Sequence, residues 1–153
     1  MFNHEPPDYV CPLCLVVAGR EEYPAVTRQT EIVFRGELAT AFIASDWRVN
    51  NPGHVLVIPN EHIENLYDLS FDVGAHIQDT VRRIAIAMKH AYGCDGVSTV
   101  QHNEPGGNQH VWHYHVHVFP RYENDDIYRS HKRKTSLEER AEYAAKLRDA
   151  LDA

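Results

Sequence analysis

At 153 residues, with 43% hydrophobic and 24% charged residues, the chain has the size and make-up of one globular domain with a core of its own. A formal net charge of −7 argues against a general nucleic-acid binder, whose hold on phosphate backbones rests on Lys and Arg. There is no apolar run of membrane-spanning length, and the polar start MFNHEPPDYV does not read as a signal peptide, so a cytoplasmic protein without a membrane partner is expected.

In chain order, residues 1–10 read as a flexible N-terminal arm, and residues 11–153 as a single domain. Cys11-Pro12-Leu13-Cys14 opens that domain and runs into the apolar Leu15, Val16 and Val17. A CxxC pair in a chain without a secretory signal is either a redox pair or half of a metal site, and no βαβ context favours the redox case. Residues 31–35 and 40–44 flank Gly36-Glu37 and predict a hairpin. Residues 45–53 end in the turn cluster Asn50-Asn51-Pro52-Gly53, and residues 54–59 (HVLVIP) predict another strand.

Val73, Ile77, Val81, Ile84 and Met88 recur at helical spacing, which predicts a helix over residues 70–92 with Ser70 as N-cap and Gly93 as its stop. Residues 96–102 predict a strand and residues 103–108 a loop. Residues 122–135 are polar, with the basic run 131–134. Residues 136–150 predict a last helix, opened by a Ser136/Glu139 capping box. Strands joined by tight turns, with two helices, predict an α+β domain whose helices cover one side of an antiparallel sheet.

The chemistry is concentrated in residues 108–122, NQHVWHYHVHVFPRY. His113, His115 and His117 alternate with Tyr114, Val116 and Val118, the period of a strand, which puts all three imidazoles on one face and the apolar residues, with Phe119, on the other. Same-face neighbours on a strand lie about 6.6 Å apart, so these histidines can divide the work on one polar ligand or hold a metal beside it.

The run His113-Tyr114-His115-Val116-His117-Val118-Phe119 resembles the signature of the histidine-triad (HIT) family. Gln109 and Val111 stand at matching positions upstream. Residues 52–59 (PGHVLVIP) resemble the family's PGHxLVIP strand, and Ala41-Phe42 precede it at the usual distance. The resemblance spans a motif core of residues 11–121, leaving a C-terminal loop and helix over 122–153. It implies a HIT-like antiparallel sheet of about five strands with one long central helix and a C-terminal helix.

The resemblance further implies a nucleotide hydrolase or transferase. His115 would attack the α-phosphorus of a purine ribonucleotide derivative, either a dinucleoside polyphosphate or a nucleoside phosphoramidate, and form a covalent nucleotidyl-histidine. His117 would donate to the phosphate oxygens, and Gln109 with Asn103 would form the polar pair beside them. Asp46 would take the ribose hydroxyls, Leu13, Val16 and Phe42 the AMP- or GMP-like base, and His54 would support the triad. Asn108 replaces the family's usual Gly and His110 its Ser or Thr on the leaving-group side, where His110 would supply a proton. The basic run 131–134 reads as a solvated charge run or, in an acidic protein, as one that reaches back towards a polyphosphate. In the zinc-bearing branch, Cys11, Cys14, His62 and His113 would form a structural Cys2His2 zinc site. A homodimer with a continuous sheet is implied as well. The competing readings are a metal-dependent enzyme that uses the histidine strand as ligands, and a nucleotide-binding module without turnover.

Overall fold

The computed structural model describes residues 1–153. Helix α1 (Pro12–Val17) occupies the CxxC and the apolar run after it. Its Cys11 Sγ caps the Cys14 amide at 3.4 Å, and Pro12 fills the first helical position, where no amide is needed. Strands β1 (Ile32–Arg35) and β2 (Ala39–Ile43) form the expected hairpin, with Glu31 in a preceding 3-10 turn. Strand β3 (Asp46–Arg48) lies in the stretch read as turn, and strand β4 (Val55–Pro59) follows it.

Helix α2 (Phe71–Tyr92) is capped by Ser70, whose side chain accepts from the Val73 amide. It stops at Gly93, which sits in the left-handed region at φ 63°, where a side chain would be strained. Strands β5 (Gly96–Gln101) and β6 (Val116–Arg121) follow, then β7 (Lys132–Lys134) inside the polar segment, and helix α3 (Leu137–Asp152) behind the Ser136/Glu139 capping box. The histidine strand therefore begins later than its periodicity suggests. His113 and His115 precede the ladder, because the His113 amide turns back to the Val111 carbonyl and the Tyr114 amide bonds Ile63.

The fold is α+β. Five antiparallel strands run in the order β1-β2-β4-β6-β5, and β3 pairs with β7 as a separate ribbon. Strand alternation divides the sheet into two faces. Ala41, Ile43, Val55, Val57, Val116 and Val118 point to one face and form the main core with Val73, Ile77, Ile84 and Met88 of α2 and Leu147 of α3. On the other face Phe42 and Ile58 join Leu13, Leu15 and Val16 in a second cluster beneath α1. His117 projects from that second face, in register with Leu56 of β4 and Val100 of β5. Phe119 is on this face too, its ring stacked on His54 at 4.1 Å, rather than among the valines.

Two polar arrangements hold the periphery. Arg140 of α3 reaches the fully buried Glu31, Nε to Oε1 at 3.0 Å. Buried Asp125 accepts from Arg121, Asn51 and the amides of Tyr122 and Ile127, which anchors the segment that carries Tyr128 and β7 back to the sheet. Residues 1–10 form no helix or strand; the amides of His4 and Glu5 donate to Glu64, and Asn65 Nδ2 donates to the Met1 and Phe2 carbonyls.

Candidate active site and metal centre

A cleft of about 510 Å³ opens on the sheet face away from α2 and α3. Its floor is built by alternation: Ser98, Val100 and His102 from β5 and its end, His117 and Phe119 from β6, and Leu56 from β4. The β3–β7 ribbon supplies Asp46, Arg48 and Lys132. The loop before the triad supplies Asn108, His110 and Val111.

Within the cleft the imidazoles are ordered by hydrogen bonds. His115 Nδ1 lies 2.7 Å from the His113 carbonyl oxygen and must carry the proton to donate there, so Nε2 keeps its lone pair. Burial lowers the pKa of this ring, which holds it neutral. His54 Nδ1 faces the Asp46 carbonyl at 3.4 Å, and His54 Nε2 faces His117 Nδ1 at 2.9 Å. A single pattern satisfies both contacts: His54 donates to Asp46, and His117 Nδ1–H donates to His54. Burial dominates here as well, pushing His54 down to about 3 and His117 to about 2, with the neighbouring imidazoles lowering His117 further.

The other expected site residues divide. Asp46, His54, Asn108 and His110 line the cleft. Asn108 takes a left-handed φ of 68°, a conformation Asn tolerates better than most side chains, which accounts for its standing where Gly is usual. Leu13, Val16 and Phe42 do not reach the cleft. They are buried in the second core cluster, and Leu56 and Val111, packed on that cluster, form the apolar wall in their place. Gln109 is 2% exposed and its amide is spent on the protein: it accepts from the Glu104 amide and donates to the Glu64 and Val111 carbonyls. Asn103 bonds Leu66 and Gln101, outside the cleft. His102, Arg48 and Tyr128 line the cleft without having been singled out, and Lys132 of the basic run 131–134 lines it as well. The alternation Ser98, Val100, His102 beside the histidine strand was the available signal for the first of these; the others depend on the β3–β7 pairing.

His113 parts from the other two triad histidines. Its Nδ1 lies 3.4 Å from Cys11 Sγ and 3.6 Å from Cys14 Sγ, while His62 Nδ1 lies 3.2 Å from Cys14 Sγ. The four donor atoms all fall within 4.8 Å of one another. Tetrahedral zinc, with bonds of about 2.3 Å to sulfur and 2.0–2.1 Å to nitrogen, places neighbouring N and S donors roughly 3.6 Å apart, and the observed spacings fit. The outer nitrogens also fit. His113 Nε2 faces the Pro59 carbonyl at 3.0 Å and His62 Nε2 the Glu5 carboxylate at 2.9 Å, so both rings carry their proton there and direct a lone pair inward. The donor set is that of a closed structural zinc site.

Comparison with known proteins identifies the family. The chain is 33% identical over 90% of its length to an uncharacterised HIT-like protein of Saccharolobus solfataricus, covering 94% of that protein. It is 29% identical to the bis(5'-adenosyl)-triphosphatase of Dictyostelium discoideum, over 84% of this chain and 91% of that one. It is 30% identical to an adenosine 5'-monophosphoramidase of Schizosaccharomyces pombe, over 72% and 74%. Among solved structures, a zinc-bound histidine triad protein of Mycobacterium smegmatis superposes with a TM-score of 0.75 at 29% identity, covering 93% of both chains. The HIT domain profile matches residues 27–124, and the chain belongs to the HIT domain family.

Proposed function

We propose that the protein is a nucleotide hydrolase or nucleotidyltransferase acting on the α-phosphorus of purine ribonucleotide derivatives. The observation that carries this reading is the His115 Nδ1 to His113 carbonyl hydrogen bond at 2.7 Å in a buried, neutral ring, which leaves Nε2 as a nucleophile. In the first step the Nε2–P bond forms and the bond from phosphorus to the leaving group breaks. In the second, water displaces His115 and releases the nucleoside monophosphate, or inorganic phosphate displaces it and leaves as part of a nucleoside diphosphate. His117, with its Nδ1 proton committed to His54, takes up a proton at Nε2 when the phosphate brings negative charge, and then donates to a phosphate oxygen. His110 stands at the leaving-group side, Asp46 at the ribose, and Leu56 with Val111 at the base.

Cys11, Cys14, His62 and His113 would hold zinc, which supplies bracing: it ties α1 and the loop after β4 to the segment that ends in His115. All its positions are filled by protein, so substrate does not enter that site. A three-histidine catalytic metal centre is disfavoured because the His113 ring is directed to the thiols and not to the cleft. The outer edge of β5 ends the sheet, and its pairing with a second copy would give the expected continuous-sheet homodimer.

The test is a substrate panel of dinucleoside tri- and tetraphosphates and nucleoside phosphoramidates, each with and without inorganic phosphate, read by product identity. The expected result is nucleoside monophosphate from water, or nucleoside diphosphate from phosphate, and loss of turnover in His115→Ala. Full activity in that variant would overturn the mechanism. Binding of AMP without turnover on any substrate would make the protein a binding module.

A further inference from the structure

The β3–β7 ribbon has two dissimilar faces. Its register is Asp46 opposite Lys134, Trp47 opposite Arg133 and Arg48 opposite Lys132. Cross-strand partners share a face and successive residues alternate, so Trp47 and Arg133 share one side and the other four residues share the opposite side. Trp47 is fully buried, with the Arg133 guanidinium 5.3 Å from its ring, and this fastens the ribbon to the core. The other side presents three cations against one carboxylate, in a chain whose net charge is −7.

These cations are not equally engaged. Lys134 pairs with Asp46, Nζ to Oδ1 at 3.0 Å. Arg48 gives one guanidinium nitrogen to the Ser130 carbonyl and keeps the rest of its fork on the cleft wall. Lys132 lines the cleft with its ammonium bonded to no protein group, near enough to His54 and His117 to oppose their protonation. An unpaired ammonium and a half-used guanidinium beside the proposed phosphate site, where the one carboxylate of that face, Asp46, is engaged by Lys134, are complementary to a further anion.

We infer that Arg48 and Lys132 form a second phosphate subsite, so the ligand carries a phosphate group in addition to the one at His115. The inference rests on the proposed seat of the α-phosphate at His115 and His117, and it narrows the substrate class. A compound whose only phosphorus is the one attacked leaves both cations unmatched. The second phosphate is either the next one along the 5'-chain, as in a polyphosphate leaving group, or one carried by the ribose.

The experiment is calorimetric titration of the full zinc-loaded chain with three ligands that the enzyme does not turn over: AMP, adenosine 5'-(α,β-methylene)diphosphate, and adenosine 3',5'-bisphosphate. One bisphosphorylated ligand should bind about tenfold more tightly than AMP, and the gap should shrink at high salt. The methylene diphosphate as winner assigns the subsite to the 5'-chain; the bisphosphate as winner assigns it to the ribose. In Lys132→Gln and Arg48→Gln the preference should fall to within about twofold, and in Lys146→Gln, which removes the same charge from α3, it should persist. Equal binding of all three ligands, or a preference that survives in both cleft variants, overturns the second subsite while leaving the chemistry at His115 standing. Failure to bind any of the three overturns the nucleotide reading together with it. Matched thermal unfolding midpoints exclude misfolding as the cause of a loss.

Discussion

Replacing Glu5 by Gln should weaken zinc binding although Glu5 touches no metal. Of the two outer hydrogen bonds that orient the histidines of the proposed zinc site, the one from His113 goes to a backbone carbonyl and cannot be removed by substitution, whereas the one from His62 ends on the Glu5 carboxylate at 2.9 Å. Loss of such a partner typically costs 10–100-fold in metal affinity, or about 1.4 to 2.7 kcal/mol. Here the His62 and Glu5 side chains are 35% and 40% exposed, so water competes and screens, and the low end is expected, roughly tenfold. Competition against a chromogenic chelator at fixed pH reads this directly, and Glu5→Asp tests whether a shorter carboxylate still reaches. Wild-type zinc affinity in Glu5→Gln would refute the claim that this carboxylate sets the tautomer and aim of His62.

Three further outcomes follow from buried polar groups. Arg140→Met strands the Glu31 carboxylate, which is fully buried and already raised in pKa by that burial, and should cost about 3–5 kcal/mol in denaturant unfolding; the double variant Glu31→Leu/Arg140→Met should recover most of it. Gln109→Ala should cost about 1–3 kcal/mol of stability by stripping the Glu104 amide and Glu64 carbonyl of their partner, while the nucleophile is retained; lost turnover at unchanged stability would contradict the bracing role. His54 and His117 are held neutral, their folded pKa values lying at about 3 and about 2. The unfolded chain therefore binds the extra protons below about pH 6.5, so stability is full above that pH and falls as pH drops, by up to about 1.4 kcal/mol per unit for each ring. Urea unfolding at pH 7.5 and 5.5 should show the loss, and His54→Gln should flatten it; equal stability at both pH values would contradict a buried neutral pair.

What could be read from the sequence was whatever depended on local pattern. The long α2 with its Ser70 and Gly93 ends, the capping box of α3 and the β1–β2 hairpin follow from residues a few positions apart, and all three are present. Cys11, Cys14, His62 and His113 of the proposed zinc site were legible through the family spacing, and their donor atoms lie within 4.8 Å of one another. What escaped was set by distant pairing. Asp46 and Lys134 are 88 residues apart, and two three-residue strands give no periodic signal, so Arg48 could not be placed on the cleft and Lys132 was legible only as part of a basic run able to reach back towards a polyphosphate. Phe119 was assigned by its hydrophobicity to the valine face, although strict alternation puts it with His115 and His117, where it stacks on His54. Gln109 suggested a substrate contact because it is polar and sits in a motif; burial turned its amide to the backbone of two loops. Leu13, Val16 and Phe42 were one layer too deep, with Leu56 and Val111 between them and the cleft.

The covalent step can be tested most directly by quenching the enzyme with a dinucleoside polyphosphate in acid-free denaturant during turnover and measuring its intact mass. The account predicts an acid-labile increase equal to one bound nucleoside monophosphate, mapped by peptide sequencing to His115 and absent in His115→Ala. Steady turnover with no adduct under conditions that trap such phosphoramidates, or an adduct that maps to His117 or His110, would contradict it.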